Sequence, residues 1–184
     1  MAALLDDPHI ADTLVELPRP YREAHALAWI ESHAAHRERG SEHVFALCLR
    51  DDRTAFGAAT LRVADPAPER PGGRGGLGYW MGGPHRGRGF ATEAVGALLA
   101  FGFDALGLDR IESLHLARNP ASGRVLEKAG LVREAILAGH RRDPRTGALE
   151  DMIRWAALAP ASGRDAVGTD APRDAPTRIE PRRG

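Results

Sequence analysis

Residues 77–81, Leu-Gly-Tyr-Trp-Met, have the aromatic and apolar content of a buried strand, stop at Gly82-Gly83-Pro84, and give way after His85-Arg86-Gly87-Arg88-Gly89 to a segment, 90–106, that is apolar on nearly every side. A buried strand handing over through glycines to a helix covered on most of its faces needs layers of both kinds, so this boundary commits the chain to an α/β arrangement. The flanking segments agree. Residues 21–36 space Ala24, Leu27, Ala28, Ile30 and Ala34 as an amphipathic helix. Residues 44–49 and 55–63 read as strands joined by a turn at Asp51-Asp52, and a Pro/Gly-rich loop covers 65–76. Beyond the long helix, which Gly107 stops, residues 110–116 read as a strand. Asn119-Pro120 opens a helix that closes at Gly130, and strands follow at 131–137 and 151–158 across a polar loop, 138–150. A helix, a strand meander and two strand–helix units predict a mixed sheet.

At 184 residues with 43% hydrophobic content, the chain suits one domain that holds a core without a staple. From residue 159 onward Pro, Gly, Ala and charges dominate, with only Val167 and Ile179 sizeable and apolar, so the expected division is a domain over 1–158 and a disordered tail over 159–184. Basic and acidic residues balance at 25 each, which gives no global pull toward nucleic acid or an anionic membrane. Cys48 is the one cysteine, no Cys/His cluster has metal-ligand spacing, and the start of the chain lacks the basic and apolar regions of a secretory signal. The expectations are a cytoplasmic protein without a metal, binding neither nucleic acid nor membrane. Lys128 is the only lysine and glutamine is absent, so arginine abundance reflects composition and carries little functional weight.

Three segments could carry chemistry. Gly73-Arg74-Gly75-Gly76-Leu77-Gly78 matches the dinucleotide pattern literally but leads into a strand, whereas that motif must open a helix; a plain nucleotide binder is the alternative it leaves. In the second, Gly87 and Gly89 let successive amides line a concave anion site. The helix behind them adds the free N–H groups of Phe90, Ala91 and Thr92, while Arg86 and Arg88 offer charge. The third is Asn119-Pro120-Ala121-Ser122-Gly123-Arg124-Val125-Leu126-Glu127-Lys128-Ala129-Gly130. Taken alone it is a capped helix with a solvated face.

Together and in this order, LGYWMGGPHRGRGFATEAVGALLAFGF and LDRIESLHLARNPASGRVLEKAGLVREAIL resemble the GNAT superfamily of N-acetyltransferases, most nearly its RimJ/RimL branch, with similarity over about 55–158. The resemblance implies a mostly antiparallel mixed sheet with two splayed parallel strands, flanked by helices. It implies acetyl-CoA with its pyrophosphate on Arg86, Gly87, Arg88, Gly89, Phe90, Ala91 and Thr92. The pantetheine arm would lie between the strands ending at Met81 and near Leu116, with backbone near Met81 polarising the thioester. Asn119 would bind the arm, Ser122 would serve the departing thiolate, and Arg124 and Lys128 would reach the adenosine end. Glu112 is the first choice for a base, directly or through water, with Glu150, Asp151 and His115 competing. Leu126 stands where many members carry a tyrosine, and Pro84 where a glutamine or arginine often opens the loop. The family's first strand has no counterpart, so the chain is expected to begin inside the first helix. The implied reaction is direct attack of a primary amine on acetyl-CoA in a ternary complex. The acceptor is a ribosomal or other protein N-terminus, or a small amine such as an aminoglycoside or polyamine, and the protein is a monomer or homodimer. A truncated, catalytically weak CoA-binding or regulatory module is the alternative of a different class.

Overall fold

The computed structural model describes residues 2–14, 17–18, 20–64 and 72–160. Its sheet starts from the hairpin that the Asp51-Asp52 turn announced: β1 (Glu42–Leu49) and β2 (Asp52–Ala64) pair antiparallel, and Asp52 Oδ1 accepts from Thr54 N at 2.8 Å to tighten the turn. β2 pairs along its whole inner length with β3 (Arg74–Met81), from Gly57↔Met81 to Ala64↔Arg74. The chain then crosses over through three short or long helical pieces: a 3-10 turn at Gly83–His85, helix α4 (Phe90–Ala100) and a π-turn at Phe101–Ala105. It returns as β4 (Arg110–Leu116), parallel to β3. Helix α5 (Pro120–Lys128) leads to β5 (Val132–Arg142) and β6 (Leu149–Leu158), and the sheet order is β1-β2-β3-β4-β6-β5.

Helix α4 forms where Ala, Val and Leu crowd together and packs Val95, Leu98 and Leu99 on the sheet, with α5 beside it. Leu61, Val95, Ile111 and Leu126 are fully buried at this contact, each contributing roughly 1.5–3 kcal/mol relative to exposure. The π-turn brings Gly102 so close that a Cβ there would lie 2.5 Å from Ile111 Cδ1. On the other face, α1 (Ala2–Leu5), α2 (Pro8–Thr13) and α3 (Glu23–Glu38) build a second cluster from Leu5, Ile10, Tyr21 and Ala26, against which Trp80 packs. Alternation along β3 therefore sends Tyr79 to the first core and Trp80 to the second.

The first described element is helix α1, which begins at Ala2 and is followed by α2 and α3. The structure amends the sequence reading in two places. Helix α3 exists, yet its predicted apolar face is not buried: Leu27 is 52% and Ile30 45% exposed, because the helix leans on the sheet margin through Ala26 and the residues around it. Residues 138–142, read as loop, extend β5, which tolerates polar side chains because it is an edge strand with an irregular register between Leu137 and Arg141. The 73–78 glycine pattern runs into β3, as its position before a strand led one to expect, and opens no helix, so the geometry a dinucleotide would need is not formed there. The expected tail lies, from residue 161, outside the described residues. Among the described residues no helix is long and apolar enough to cross a membrane.

Candidate active site

The site begins where the parallel pair fails. β3 and β4 share three rungs, Arg74↔Arg110, Gly75↔Ile111 and Gly76↔Glu112. One step on, Ser113 Oγ donates to Leu77 O at 3.2 Å, a side chain standing in for the next ladder bond. Past that point Gly78–Met81 remain paired only to β2, and Ser113–Leu116 only to β6. Two strand edges thus face one another with backbone donors and acceptors unspent, which suits a ligand carrying amides along its length. The fork opens into a cavity of about 690 Å³ lined by Gly78, Tyr79, Trp80, Met81 and Ser113–Leu116.

At the C-terminal end of β3, where the fork is open, the chain turns sharply. Gly82 N donates to Phe56 O at 2.8 Å, and Arg86 N to Gly83 O at 3.1 Å. Gly87 and Gly89 adopt φ of +72° and +88°, the left-handed region that a Cβ disfavours, and a Cβ at either would meet nothing within 4 Å. Backbone handedness, not crowding, requires glycine here, and the outer side of the turn is open. Gly89 caps α4, leaving the first amides of an 11-residue helix, those of Phe90, Ala91 and Thr92, without helical partners and next to the cavity wall at Gly87 and Ala91.

The two loop arginines are differently employed than the sequence suggested. Arg86 Nε donates to Met81 O at 3.1 Å and Nη2 to Asp7 Oδ2 at 3.0 Å, so this cation staples the loop to the cap of α2. That pairing, after the hydrogen bond from His9 N, helps hold the Asp7 carboxyl below its ordinary range. Arg88 lies over the Phe90 ring, 4.9 Å from its centroid.

Across the fork, Asn119 caps α5, its Oδ1 accepting from Ser122 N at 3.3 Å, and both residues line the cavity. Ser122 Oγ lies 2.7 Å from the hydroxyl of Tyr79, which also donates toward Ser122 O at 3.1 Å. Burial pushes the Tyr79 phenol up to about 12. His115 is buried beside this pair with Nδ1 against Leu116 O at 2.9 Å and Nε2 unpartnered; burial holds its imidazole below the usual value. A Cβ at Gly123 would come within 3.0 Å of that Nε2, so α5 presses directly on β4.

Of the residues expected from sequence, the structure brings Met81, Arg86, Gly87, Ala91, Asn119 and Ser122 to one cavity. Arg124 and Lys128 are exposed on α5 and do not line it. Glu112 does not line it either: it accepts from Arg110 Nε at 2.6 Å, and Arg110 also grips Glu134. Among the described residues of the cavity wall the carboxylate is Glu42, 9% exposed, accepting from Arg62 Nε at 2.8 Å. Sequence reasoning missed Glu42 and Tyr79. Alternation within LGYWM was enough to put Tyr79 on the helix-covered face, but its partner lies 43 residues away.

Residues 1–132 match the family model described as an acetyltransferase (GNAT) domain. The chain belongs to the GNAT acetyltransferases. An uncharacterized N-acetyltransferase p20 of Bacillus licheniformis is 29% identical over 119 residues, 65% of this chain, and the match spans 64% of that relative's length. Among solved structures, the ribosomal-protein-S5-alanine acetyltransferase from Vibrio fischeri aligns with TM-score 0.73 at 19% identity, covering 87% of this chain and 86% of its own. The spermidine N-acetyltransferase from Vibrio cholerae, in complex with CoA and spermine, aligns with TM-score 0.68 at 20% identity, covering 85% and 86%. The six-stranded sheet with one parallel pair is thus the GNAT fold.

Proposed function

We propose that this GNAT protein transfers the acetyl group of acetyl-CoA to a primary amine by direct attack within a ternary complex. The observation that carries this reading is the fork between β3 and β4, which runs from the amide-rich turn at Gly87–Gly89 to the Ser122 hydroxyl inside one cavity. Acetyl-CoA supplies the activated acyl group. The free amides of Phe90, Ala91 and Thr92 hold its diphosphate, and the unpaired edges of β3 and β4, with the Asn119 amide, hold its arm. Arg88, over the Phe90 ring, offers a further phosphate contact. Exposed Arg124 and Lys128 serve the adenosine end only at long range. Ser122 donates a hydrogen bond to the sulfur as it departs.

The amine must lose a proton before or during attack, and Glu42 is the carboxylate placed to receive it through water. Glu112, held by Arg110 outside the cavity, becomes the structural member of that pair. Among the described lining residues Glu42 pairs with Arg62, and Arg86 with Asp7, while Tyr21, Trp29 and Trp80 supply apolar wall. The acceptor is a protein N-terminal amine, as in the RimJ/RimL branch, or a small amine such as an aminoglycoside or polyamine, and the reaction belongs in the cytoplasm, where the exposed thiol of Cys48 stays reduced.

Calorimetry with CoA and with NAD, followed by mass spectrometry of an amine panel incubated with acetyl-CoA, tests the reading. CoA binding and acetylation of at least one primary amine of the panel are expected. CoA binding with no acetylated amine supports the CoA-binding module instead, and binding of NAD alone ends the acetyltransferase reading. Gly89→Trp, which puts a bulky side chain at a position with φ +88° on the turn, is expected to abolish CoA binding while circular dichroism stays unchanged; wild-type affinity in that variant displaces the diphosphate from this turn.

A further inference from the structure

We propose that Tyr79 is a positioning residue for the acetyl-transfer step: its hydroxyl holds the Ser122 hydroxyl so that the serine hydrogen points at the sulfur leaving the thioester. The proposal rests on the reading that the arm of acetyl-CoA lies in the β3–β4 fork. Tyr79 reaches across the fork from β3 to α5, with its oxygen 2.7 Å from Ser122 Oγ and 3.1 Å from Ser122 O. Its ring is packed against the main core, and the first turn of α5 is pinned by the Asn119 cap, so neither oxygen is free to drift.

Two hydroxyl hydrogens are shared among three oxygens here, and they can be arranged in two ways. In the first, Tyr79 donates to Ser122 O and Ser122 donates to Tyr79, which closes the pair on itself. In the second, Tyr79 donates to Ser122 Oγ and the serine hydrogen is released toward the cavity. A negative sulfur in the fork favours the second arrangement, because both O–H dipoles then point along one line toward the charge. Among the described residues Tyr79 is the side chain that touches the Ser122 hydroxyl, so it alone can make this choice. Its phenol, raised to about 12 by burial, holds its proton far more firmly than a thiol of pKa about 8.5. The pair therefore stabilises the thiolate by hydrogen bonding, and no bond to hydrogen is broken in either residue.

The test reads the sulfur directly and needs no acceptor. CoA bound to the protein is titrated by the ultraviolet absorbance of its thiolate, in the wild type and in Tyr79→Phe, Ser122→Ala, Ser122→Thr and the double variant Tyr79→Phe/Ser122→Ala. The wild type is expected to lower the bound thiol's pKa below that of free CoA. Ser122→Ala should raise it, Tyr79→Phe should raise it by up to about one unit, and the double variant should match Ser122→Ala because the tyrosine acts through the serine. Ser122→Thr, which keeps the hydroxyl, should restore most of the effect. The melting temperature of Tyr79→Phe is followed alongside, since a structural role would lower it without moving the thiol. If Ser122→Ala raises the thiol pKa while Tyr79→Phe leaves it in place, or if the two shifts add in full, the positioning role is overturned. If Ser122→Ala itself has no effect, the assignment of Ser122 to the sulfur falls first, and the proposal with it. If CoA does not bind, the fork is not its site and both readings fail.

Discussion

Single side chains in the cavity divide into those that face the reacting atoms and those that hold the frame. Glu42 and Glu112 stand in the same cross-sheet row, Glu42↔Arg62 on one pair of strands and Gly76↔Glu112 on another, yet only Glu42 reaches the cavity. Glu42→Gln is accordingly expected to lower kcat by roughly a hundredfold, the usual scale for losing a proton acceptor, while Glu112→Gln leaves kcat unchanged and lowers only the melting temperature. Steady-state assays on the two purified variants decide between them, and the reverse ranking would return the role to Glu112. The sequence could not separate these carboxylates. Both lie near the start of a strand, and the choice is made by Arg110, which lies two residues from Glu112 and bridges to Glu134. Asn119 and Ser122 were legible because their spacing on a capped helix is a local property. Tyr79 was not, because its role is a contact between distant segments.

At the level of elements, most boundaries followed from local chemistry: β4 and α5 fall where the apolar alternation and the Asn-Pro cap placed them. What the pattern could not show is how elements share space. Gly57 on β2 lies opposite Met81, and a Cβ there would sit 2.5 Å from Trp80 O and 3.0 Å from Met81 Cα, so the end of β3 is set by a close backbone approach. Gly57→Ala is expected to push that end outward, at a cost of roughly 1–3 kcal/mol, and to weaken CoA binding at the same time. Thermal melts and calorimetry on one sample check both effects; an unchanged affinity with a lowered melting temperature would show that the edge at Met81 does not touch the ligand. Helix α3 shows the converse limit. Its apolar spacing promised a buried face, yet Leu27 and Ile30 stay about half exposed.

Over the whole molecule, two apolar clusters on opposite faces of the sheet are tied together by a few polar links, chiefly Arg86 to Asp7 and Arg118 to both Glu150 and Asp12 O. Stability should respond to acid through one buried imidazole, His115, and two partly buried ones, His33 and His43. His33, His43 and His115 are each held below the usual histidine range, mainly by burial; Arg37 adds to this at His33 and His43 and Arg133 at His115, while Glu42 opposes it at His33. As pH falls below about 6.5 the unfolded chain takes up protons that the folded chain refuses, so folding stability declines through that window. The carboxyls of Asp7, Glu134 and Asp143, held below their usual range, extend the decline at lower pH. A lower melting temperature at pH 5 than at pH 7.5 is expected, and a flat profile across that interval would mean the three rings are hydrated. One mechanical outcome belongs to the parting of β3 from β4 after Gly76. Within the sheet, the 42–81 half and the 110–158 half are joined by three rungs and one serine. Anything wedged into the gap with amides of its own acts as a seventh strand, and deuterium uptake along Gly78–Met81 and Leu114–Leu116 should slow together when it arrives, as two leaves of a hinge do when a pin goes in.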